Sequence, residues 1–305
     1  MTNQQFSGYL QAKAKGFTTR KRKTMIIREN GRSTDFVAPG FATGCQLACS
    51  YCYVARHRDY GNPLEVYTNT EDIWKTIKTH YNSLGPKTPN QCDPTYWTYD
   101  IGESTDCLTP KVIKYTNLFI NKFLTETDAK PSFATKMSVW KGLQPIKRLR
   151  QARIRVSLMP QTLADSIERL TSKIIDRIDS INVLYDMGFE VHVNFSPVIA
   201  YQGWVSAYCD LFKLIAQRVR PEVLDQLKCE VIFLTHNYDL DDSNKQWIPE
   251  SSALLRTPNL QEYKTTLRGD DSVVRYSQKV KPTLIKYFKD AIAQYLPSCQ
   301  IRYIF

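Results

Sequence analysis

Short apolar runs alternate with longer stretches of helical periodicity along most of this chain. Runs that predict buried strands occupy residues 35–43, 96–101, 132–137, 153–158, 190–195 and 230–234. Apolar positions with helical spacing occupy residues 71–81, 110–125, 140–152, 165–187 and 204–219. Strands separated by helices of this length form parallel βα units with right-handed crossovers. Six such units predict an α/β fold, a partial (β/α)6 barrel of the TIM type.

The pattern changes after residue 237. Residues 237–258 are polar and rich in turn-forming side chains, and residues 265–278, with Gly269-Asp270-Asp271 at the centre, predict a β-hairpin. A helix over 281–295 and a short apolar strand over 300–305 follow. We therefore divide the chain into a basic N-terminal arm (1–34), the barrel (35–237) and a C-terminal hairpin and helix extension (238–305) that is expected to bind substrate.

Composition indicates a globular protein. The chain has 305 residues, of which 42% are hydrophobic, enough to bury a large core. No apolar run approaches the ~20 residues that span a bilayer, and the first residues lack a charged-then-apolar signal pattern. We expect a soluble, cytoplasmic protein with no membrane partner. Eight cysteines in such a protein indicate ligands or buried thiols rather than a disulfide framework.

The positive charge is concentrated near the N-terminus. The net charge is +11, and residues 1–32 hold eight Lys and Arg against one Glu, a local excess of +7. Such a segment attracts a polyanion, usually nucleic acid, although a charge run can also be only a solvated tail.

A second basic cluster lies near the C-terminus, where cations alternate with aromatic residues. Its members are Arg268, Arg275, Lys279 and Lys281, interleaved with Tyr263, Tyr276 and Tyr287. This combination suits phosphates and stacked bases together. We therefore expect DNA as the partner, with Arg268, Arg275, Tyr276 and Lys279 as candidate nucleic-acid-binding residues.

Three cysteines follow the first predicted strand with the spacing C-x3-C-x2-C. They are Cys45, Cys49 and Cys52. Thiolates this close on a short loop converge on one point, and iron–sulfur clusters take ligands from loops of this kind. Three protein ligands on a 4Fe-4S cluster leave one iron open for a substrate or cofactor.

Two other uses of these cysteines stay open. One is a zinc site with His57 as fourth ligand, but zinc sites are usually built from two ligand pairs and the sequence has no second pair. The other is a disulfide, which the crowding of Cys49 and Cys52 disfavours. A 4Fe-4S cluster is our working interpretation.

Each predicted strand is followed by a polar or ligating residue. In order, these residues are Cys45, Glu103 with Ser104, Lys136, Ser157, Ser196 and His236. Barrel active sites form at the rim where the carboxyl ends of the strands meet. Each residue alone is equally consistent with a helix cap or a loop position. Together with the cysteine loop, they predict one site.

These features resemble the radical S-adenosylmethionine superfamily and, within it, the spore photoproduct lyase family. The resemblance is carried by Phe41-Ala42-Thr43-Gly44-Cys45 and by Cys49-Ser50-Tyr51-Cys52-Tyr53, and it continues more weakly over residues 35–305. It implies that S-adenosylmethionine binds the open iron and is cleaved by one electron to a 5′-deoxyadenosyl radical. In the family, this radical takes a hydrogen atom from C6 of a methylene-bridged thymine dimer in DNA, which then reverts to two thymines.

The resemblance also implies roles for single residues. Ser104, Lys136 and Ser157 match positions that hold the cofactor, and hydroxyl and ammonium groups suit its carboxylate and ribose oxygens. Ser196 is a further candidate cofactor contact. Tyr51 and Tyr53 match cluster-loop tyrosines near the adenosyl group and the radical path. A flavodoxin- or ferredoxin-like reductant is expected by the same analogy.

One position departs from the family's pattern. The lyases carry a cysteine near the end of the second strand that returns a hydrogen atom to the product radical, and Glu103 aligns there. A carboxylic acid cannot replace it, because its O–H bond is far stronger than S–H. Gly102-Glu103 instead resembles a Gly-Glu pair that binds the cofactor's amino group in many superfamily members. Cys107 and Tyr53 remain as candidate hydrogen donors, although Cys107 is equally well explained as a buried thiol.

The sequence thus predicts a radical S-adenosylmethionine lyase that acts on DNA as a thymine-dimer repair enzyme or a related base-modifying enzyme. One alternative is a superfamily enzyme with an RNA or peptide substrate. Another is a nucleic-acid-binding protein with a purely structural metal site, which would not need polar residues at several strand ends.

Overall fold

The computed structural model describes residues 17–57, 62–138, 141–247, 251–264 and 273–305. The strands are β1 Phe17–Arg20, β2 Arg28–Glu29, β3 Phe36–Val37, β4 Ala42–Thr43, β5 Leu64–Tyr67, β6 Thr98–Asp100, β7 Lys130–Thr135, β8 Arg153–Ser157, β9 Glu190–Val198, β10 Lys228–Phe233, β11 Thr235–Asn237, β12 Gln261–Lys264, β13 Val273–Tyr276 and β14 Gln300–Ile304. The helices are α1 Tyr53–His57, α2 Thr70–Ser83, α3 Ile113–Glu126, α4 Gln161–Ile167, α5 Ile174–Asp186, α6 Trp204–Arg218, α7 Pro221–Leu224, α8 Tyr238–Trp247, α9 Ser251–Leu255 and α10 Lys281–Tyr295.

One sheet of eight strands organises the molecule, in the order β14-β10-β9-β8-β7-β6-β3-β2. All neighbours from β3 to β14 pair in parallel, and only the edge strand β2 is antiparallel. The predicted α/β half-barrel is therefore confirmed, and β14 adds a seventh parallel strand beside β10. Two small sheets, β1-β5-β4 and β11-β13-β12, flank it.

The convex face of the sheet is apolar and is covered by helices. Phe195 of β9 packs its ring against Phe212 of α6 and Phe288 of α10. Because side chains alternate along a strand, the residues next to Phe195 point to the concave face. The burial of these aromatic rings explains why the helices lie on one side of the curved sheet.

The concave face holds charged side chains at its base. The Lys130 ammonium lies 2.7 Å from both Asp93 and Glu190, and the Arg153 guanidinium lies 2.7 Å from Asp93 and 3.0 Å from Glu190. All four are buried or nearly so. Buried charges need such pairing, since each would otherwise lose its hydration without compensation.

A second charged layer lies above the first and includes the last strand. Arg155 of β8 pairs with Asp100 and Glu230, and Arg302 of β14 donates to Glu230 over 2.6 Å. Burial alone would raise the pKa of Glu230, but Arg155 and Arg302 hold it below its usual value. The Tyr303 hydroxyl donates to the same carboxylate over 2.9 Å. These contacts fasten the last strand to the centre of the half-barrel.

Three sequence-based expectations differ from the structure. Residues 141–152 form turns rather than the predicted helix, because Gly142 and Arg150 have φ of 96° and 64° and Pro145 supplies no backbone donor. The predicted helix 165–187 is split into α4 and α5. The predicted first strand is also broken, because β3 joins the large sheet and β4 joins β5.

The C-terminal region is partly as predicted. Helix 281–295 is confirmed as α10, whereas the polar segment after residue 237 forms the helices α8 and α9 rather than turns alone. The hairpin consists of β12 and β13 paired in antiparallel fashion, and its predicted centre at Gly269-Asp270-Asp271 lies outside the described residues.

The basic N-terminal segment packs on the barrel where it is described. Strand β1 pairs with β5, and Arg20 forms an ion pair with Glu65. The guanidinium of Arg22 donates to the Gly40 carbonyl over 3.1 Å. Part of the positive charge of the N-terminal segment is therefore paired with acceptors inside the fold. In the described part of the chain, no helix has the length and apolar character needed to cross a membrane.

We expect Arg302→Ala to lower the free energy of unfolding by about 3 kcal/mol, because it removes one partner of the buried Glu230 carboxylate. Urea unfolding followed by circular dichroism measures this change. Lys286→Ala, which breaks an exposed pair with Asp290 on α10, is the control and should leave stability unchanged. Equal stability of the two variants would contradict a structural role for the second charged layer.

Candidate active site

The cysteine loop lies between β4 and α1, at the carboxyl end of the half-barrel. Gly44 and Ala48 adopt positive φ of 90° and 51°, which lets the chain turn sharply between Cys45 and Cys49. The Cys52 amide donates to the Cys49 carbonyl over 3.1 Å. Burial, with Asp106 and Cys52 as further causes, raises the pKa of the Cys45 thiol to about 12. The loop therefore holds three prearranged thiols, of which Cys49 is buried and Cys45 and Cys52 are half-buried.

The spacing of these thiols suits a cluster better than a single ion. Among the described residues, no three Cys, His, Asp or Glu side chains approach closely enough to hold one metal ion. The three thiols are still near one another, because Cys52 contributes to the raised pKa of both Cys45 and Cys49. A cluster spreads its irons over a cube, so its ligands stand further apart than those of one ion. The side chain of His57, the alternative zinc ligand, lies outside the described residues.

Two elements far away in sequence hold the cysteine loop in place. The Ser50 amide donates to the carbonyl of Ile167 at the end of α4 over 2.9 Å. The Asn244 amide group, on α8, donates to the Ser50 carbonyl over 2.8 Å and is fully buried. Asn244 was not predicted, because it lies in a segment without a helical pattern and 194 positions away from its partner.

A buried carboxylate also contacts the loop. The Tyr51 hydroxyl donates to Glu168, and the other carboxylate oxygen of Glu168 lies 2.8 Å from the Arg177 guanidinium. Arg177 in turn donates to the Ser157 carbonyl over 3.0 Å. Neither Glu168 nor Arg177 was predicted, because both fall inside what looks like one continuous helix.

Lys136 projects from the end of β7 toward the loop. Its ammonium lies 5.7 Å from the centre of the Tyr51 ring. Burial lowers the pKa of Lys136, but Glu168 and the thiols of Cys49 and Cys52 outweigh burial and raise it. The lysine therefore stays charged and can bind an anion.

Asp106 fixes the backbone that carries this lysine. Its carboxylate accepts hydrogen bonds from the Lys136 amide over 2.7 Å, the Thr135 hydroxyl over 2.8 Å and the Leu108 amide over 3.0 Å. Burial raises the pKa of Asp106, although these donors oppose the shift. The contacts join the loop after β6 to the end of β7.

Two adjacent strands each carry a buried side-chain oxygen that makes no hydrogen bond within the described residues. Ser157 of β8 lies opposite Asn194 of β9 in the parallel register. Ser157 Oγ and Asn194 Oδ1 are buried and have no hydrogen-bond partner among the described residues. Orphan buried oxygens are rare in folded proteins and here mark the place where a polar ligand fits. Ser196 lies two residues beyond Asn194 on the same strand face and is half-buried.

The opening at the carboxyl end of the half-barrel is called the mouth. The predicted residues after β6 form one side of it. Glu103 forms an ion pair with Arg28 of β2, and the Tyr53 hydroxyl donates to the Glu103 carbonyl. Ser104 follows in the same turn and is half-buried. The structure thus brings Glu103, Ser104 and Tyr53 to the same rim, with Tyr53 48% exposed.

The profile of the spore photoproduct lyase family matches residues 2–305 of this chain. The chain belongs to the spore photoproduct lyase family. The spore photoproduct lyase of Geobacillus sp. (strain Y412MC61) is 23% identical over 92% of this chain and 80% of its own length. That of Bacillus subtilis (strain 168) is 22% identical over 69% of this chain and 59% of its own length.

Solved structures of spore photoproduct lyase have the same fold. A double mutant with bound AdoMet and dinucleoside spore photoproduct superposes with a TM-score of 0.85 at 19% identity, covering 97% of this chain and 84% of that chain. A complex with dinucleoside spore photoproduct gives 0.84 at 20% identity, with the same coverage. At these identities, the likeness shows a shared fold.

Cys107, one candidate hydrogen donor in this family member, is fully buried. A Cβ atom added at Gly102 would lie 2.8 Å from Cys107 Sγ and 2.8 Å from Phe133 Cβ. The thiol therefore fills space beneath the loop after β6, which explains why a glycine stands at position 102. This packing favours the interpretation of Cys107 as a buried thiol.

Of the described residues predicted to bind nucleic acid, not all lie at the surface. Tyr276 is 1% exposed, and its hydroxyl accepts from the Ala200 amide over 2.7 Å, so the predicted base-stacking role is wrong for this side chain. Arg275 lies 3.2 Å from Glu262 across the hairpin. Lys279 is exposed in the turn before α10, and Arg268 lies outside the described residues.

His236 does not reach the mouth either. Its Nε2 lies 2.8 Å from Asp241 Oδ1, and Asp241 also pairs with Arg256. Burial lowers the pKa of His236 to about 4, with Arg256 as the second cause. This strand-end residue therefore anchors α8 to β11 and lies in a separate polar cluster.

Cys49→Ala should abolish cluster assembly and the cleavage of S-adenosylmethionine, because the loop would keep only two of its three thiolates. Iron content and absorption near ~400 nm after anaerobic reconstitution measure assembly. Cys209→Ala, on α6, is the matched control and should keep the cluster. If the Cys49 variant still releases 5′-deoxyadenosine on reduction, the ligand assignment is wrong.

Proposed function

We propose that this protein is a radical S-adenosylmethionine lyase that repairs methylene-bridged thymine dimers in DNA. The observation that carries the proposal is the three-cysteine loop facing Lys136, Ser157 and Asn194 at one mouth, in a chain of this family. A relative with this fold was solved with AdoMet and dinucleoside spore photoproduct bound. No feature of the described residues favours RNA or a peptide as substrate.

Residues at the mouth would divide the work of binding. Cys45, Cys49 and Cys52 would hold the 4Fe-4S cluster, which with S-adenosylmethionine supplies a 5′-deoxyadenosyl radical. The charged Lys136 suits the cofactor's carboxylate, and Ser157 and Asn194 offer oxygens that have no hydrogen-bond partner within the part of the chain that the structure describes. The protein then contributes the orientation of the cofactor and substrate and the exclusion of water from the site.

Glu103 would bind the cofactor's amino group. In the structure its carboxylate pairs with Arg28. An ammonium group of the cofactor carries the same charge as this guanidinium and can share the carboxylate or replace it. Ser104 and Ser196, both half-buried at the rim, are the remaining proposed cofactor contacts.

The C-terminal residues 238–305 would form the substrate-binding part. On β12, Tyr263 is 68% exposed, and Lys264 beside it is also exposed. An aromatic ring next to a cation suits a base and its phosphate. Arg275 and Lys279, in the same C-terminal region, are further proposed substrate contacts. A flavodoxin- or ferredoxin-like protein of the cytoplasm would supply the electron.

The hydrogen atom that ends the reaction would be relayed by Tyr53: its O–H hydrogen would pass to the product radical, and the tyrosyl radical would then take a hydrogen atom from 5′-deoxyadenosine, which restores the O–H bond. The family cysteine is replaced by Glu103, and Cys107 is fully buried under Gly102. Tyr53 is half exposed at the mouth, and its hydroxyl meets the Glu103 backbone at the aligned position. Tyr53 is thus a redox-capable side chain in direct contact with the residue that stands at the place of the missing thiol.

Incubation with a dinucleotide that carries the methylene-bridged thymine dimer tests the function. We expect anaerobic, reduced protein with S-adenosylmethionine to return intact thymines over many turnovers, measured by chromatography. The Cys49→Ala protein is the control. Cleavage of S-adenosylmethionine without repair would contradict the lesion assignment and favour another substrate.

A pair of variants tests the hydrogen donor. Tyr53→Phe should lower the repair rate by about tenfold or more, because phenylalanine has no O–H hydrogen to give, a loss of about 1.4 kcal/mol in transition-state stabilisation. Cys107→Ala should leave repair nearly unchanged, since a buried packing thiol takes no part in turnover. The opposite ranking of the two rates would return the donor role to Cys107.

A further inference from the structure

Glu168 is a buried carboxylate that joins three parts of the active site, and the proposed function leaves it without a role. It contacts Tyr51 of the cysteine loop and pairs with Arg177 of α5 over 2.8 Å. The side chains of both Glu168 and Arg177 are inaccessible to solvent. A fully buried ion pair is costly to desolvate, so its position beside the cysteine loop calls for an explanation beyond stability.

The break between α4 and α5 is what points Glu168 inward. Glu168 follows the last helical residue, and its φ of −126° and ψ of 48° lie outside the helical region. The last carbonyl groups of a helix lack partners within the helix. Here the carbonyl of Ile167 accepts from the Ser50 amide over 2.9 Å. The end of α4 therefore holds the cysteine loop twice, once through backbone and once through Glu168.

Glu168 also balances the positive groups around the cofactor position. Arg177 has no solvent contact and donates to the carbonyls of Ser157 over 3.0 Å and Ser172 over 2.9 Å. It thereby fixes the backbone of Ser157, whose hydroxyl has no partner among the described residues. Lys136 is the other positive group, and the negative charge of Glu168 raises its pKa.

We propose that Glu168 is a positioning residue for S-adenosylmethionine: it fixes Tyr51 between two cluster ligands and, through Arg177, fixes Ser157. This inference rests on the proposed function and adds the residue that connects the loop to the cofactor cradle. Loss of the carboxylate charge would let Tyr51 and Ser157 shift together, while the cysteines themselves remain in place.

The test compares Glu168→Gln, Tyr51→Phe, the double variant and wild type. Glutamine keeps the volume but not the charge, and Tyr51→Phe breaks the same contact while leaving the pair with Arg177 intact. Iron content, the KM and kcat of S-adenosylmethionine cleavage, and the paramagnetic resonance spectrum of the reduced cluster with and without S-adenosylmethionine are measured. Asp165→Asn, which removes an exposed carboxylate from the same helix, is the matched control.

We expect Glu168→Gln to keep its iron but raise KM for S-adenosylmethionine about tenfold or more, the size expected for one charge-assisted buried contact. Its spectrum should differ from wild type mainly after S-adenosylmethionine is added. Tyr51→Phe should shift KM in the same direction, and the double variant should be no worse than Glu168→Gln, because both changes break one contact. Asp165→Asn should behave as wild type.

The inference is overturned if Glu168→Gln and Tyr51→Phe both leave KM and the spectrum unchanged, or if their effects simply add. If Glu168→Gln does not fold, as its melting curve would show, Tyr51→Phe alone decides between these outcomes. A wild-type protein that binds iron but does not cleave S-adenosylmethionine overturns the proposed function together with the inference. Normal cleavage by wild type and by every variant overturns the inference alone.

Discussion

The ion pairs on the concave face of the sheet are the constraint on which the rest of the structure depends. Arg155 on β8 pairs with Asp100 and Glu230, which lie two strands away on either side, and Arg302 on the last strand pairs with Glu230 on the adjacent strand. Each of these charges is buried and must keep its partner. The sheet therefore has to curl enough to bring strands β6, β8, β10 and β14 within ion-pair distance of one another.

Above these ion pairs, the carboxyl end of the half-barrel carries polar groups without charged partners among the described residues. The base of the half-barrel matches carboxylates with guanidinium and ammonium groups, whereas Ser157 and Asn194 at the upper edge keep buried oxygens without partners among the described residues. This contrast follows the usual division of barrel folds, in which one end supplies stability and the carboxyl end of the strands supplies chemistry. Ser157 and Asn194 lie at the end of the strands where we propose that the cofactor binds.

The C-terminal region, from residue 236 onward, contributes to the cysteine loop as well as to the proposed substrate-binding part. Helix α8 sends the buried amide of Asn244 to the Ser50 carbonyl, and His236 with Asp241 ties the same helix to β11 of the hairpin sheet. The hairpin sheet and the cysteine loop are thus connected through one short helix. The basic N-terminal segment is similarly engaged, because Arg20 and Arg28 pair with carboxylates of the fold.

The sequence alone determined the class of fold and the metal-binding loop, because both depend on local spacing. Alternation of strands with helices requires a parallel sheet, and the C-x3-C-x2-C spacing places three thiols on one turn whatever surrounds it. Residues at strand ends, such as Lys136 and Ser157, were also predictable, since the carboxyl ends of parallel strands share one edge. Only the tertiary structure could show Glu168, Arg177 and Asn244 at the loop, or Tyr276 and Cys107 in the interior. Their roles come from contacts between segments far apart in sequence and from a helix break at residue 168 that no periodicity marks.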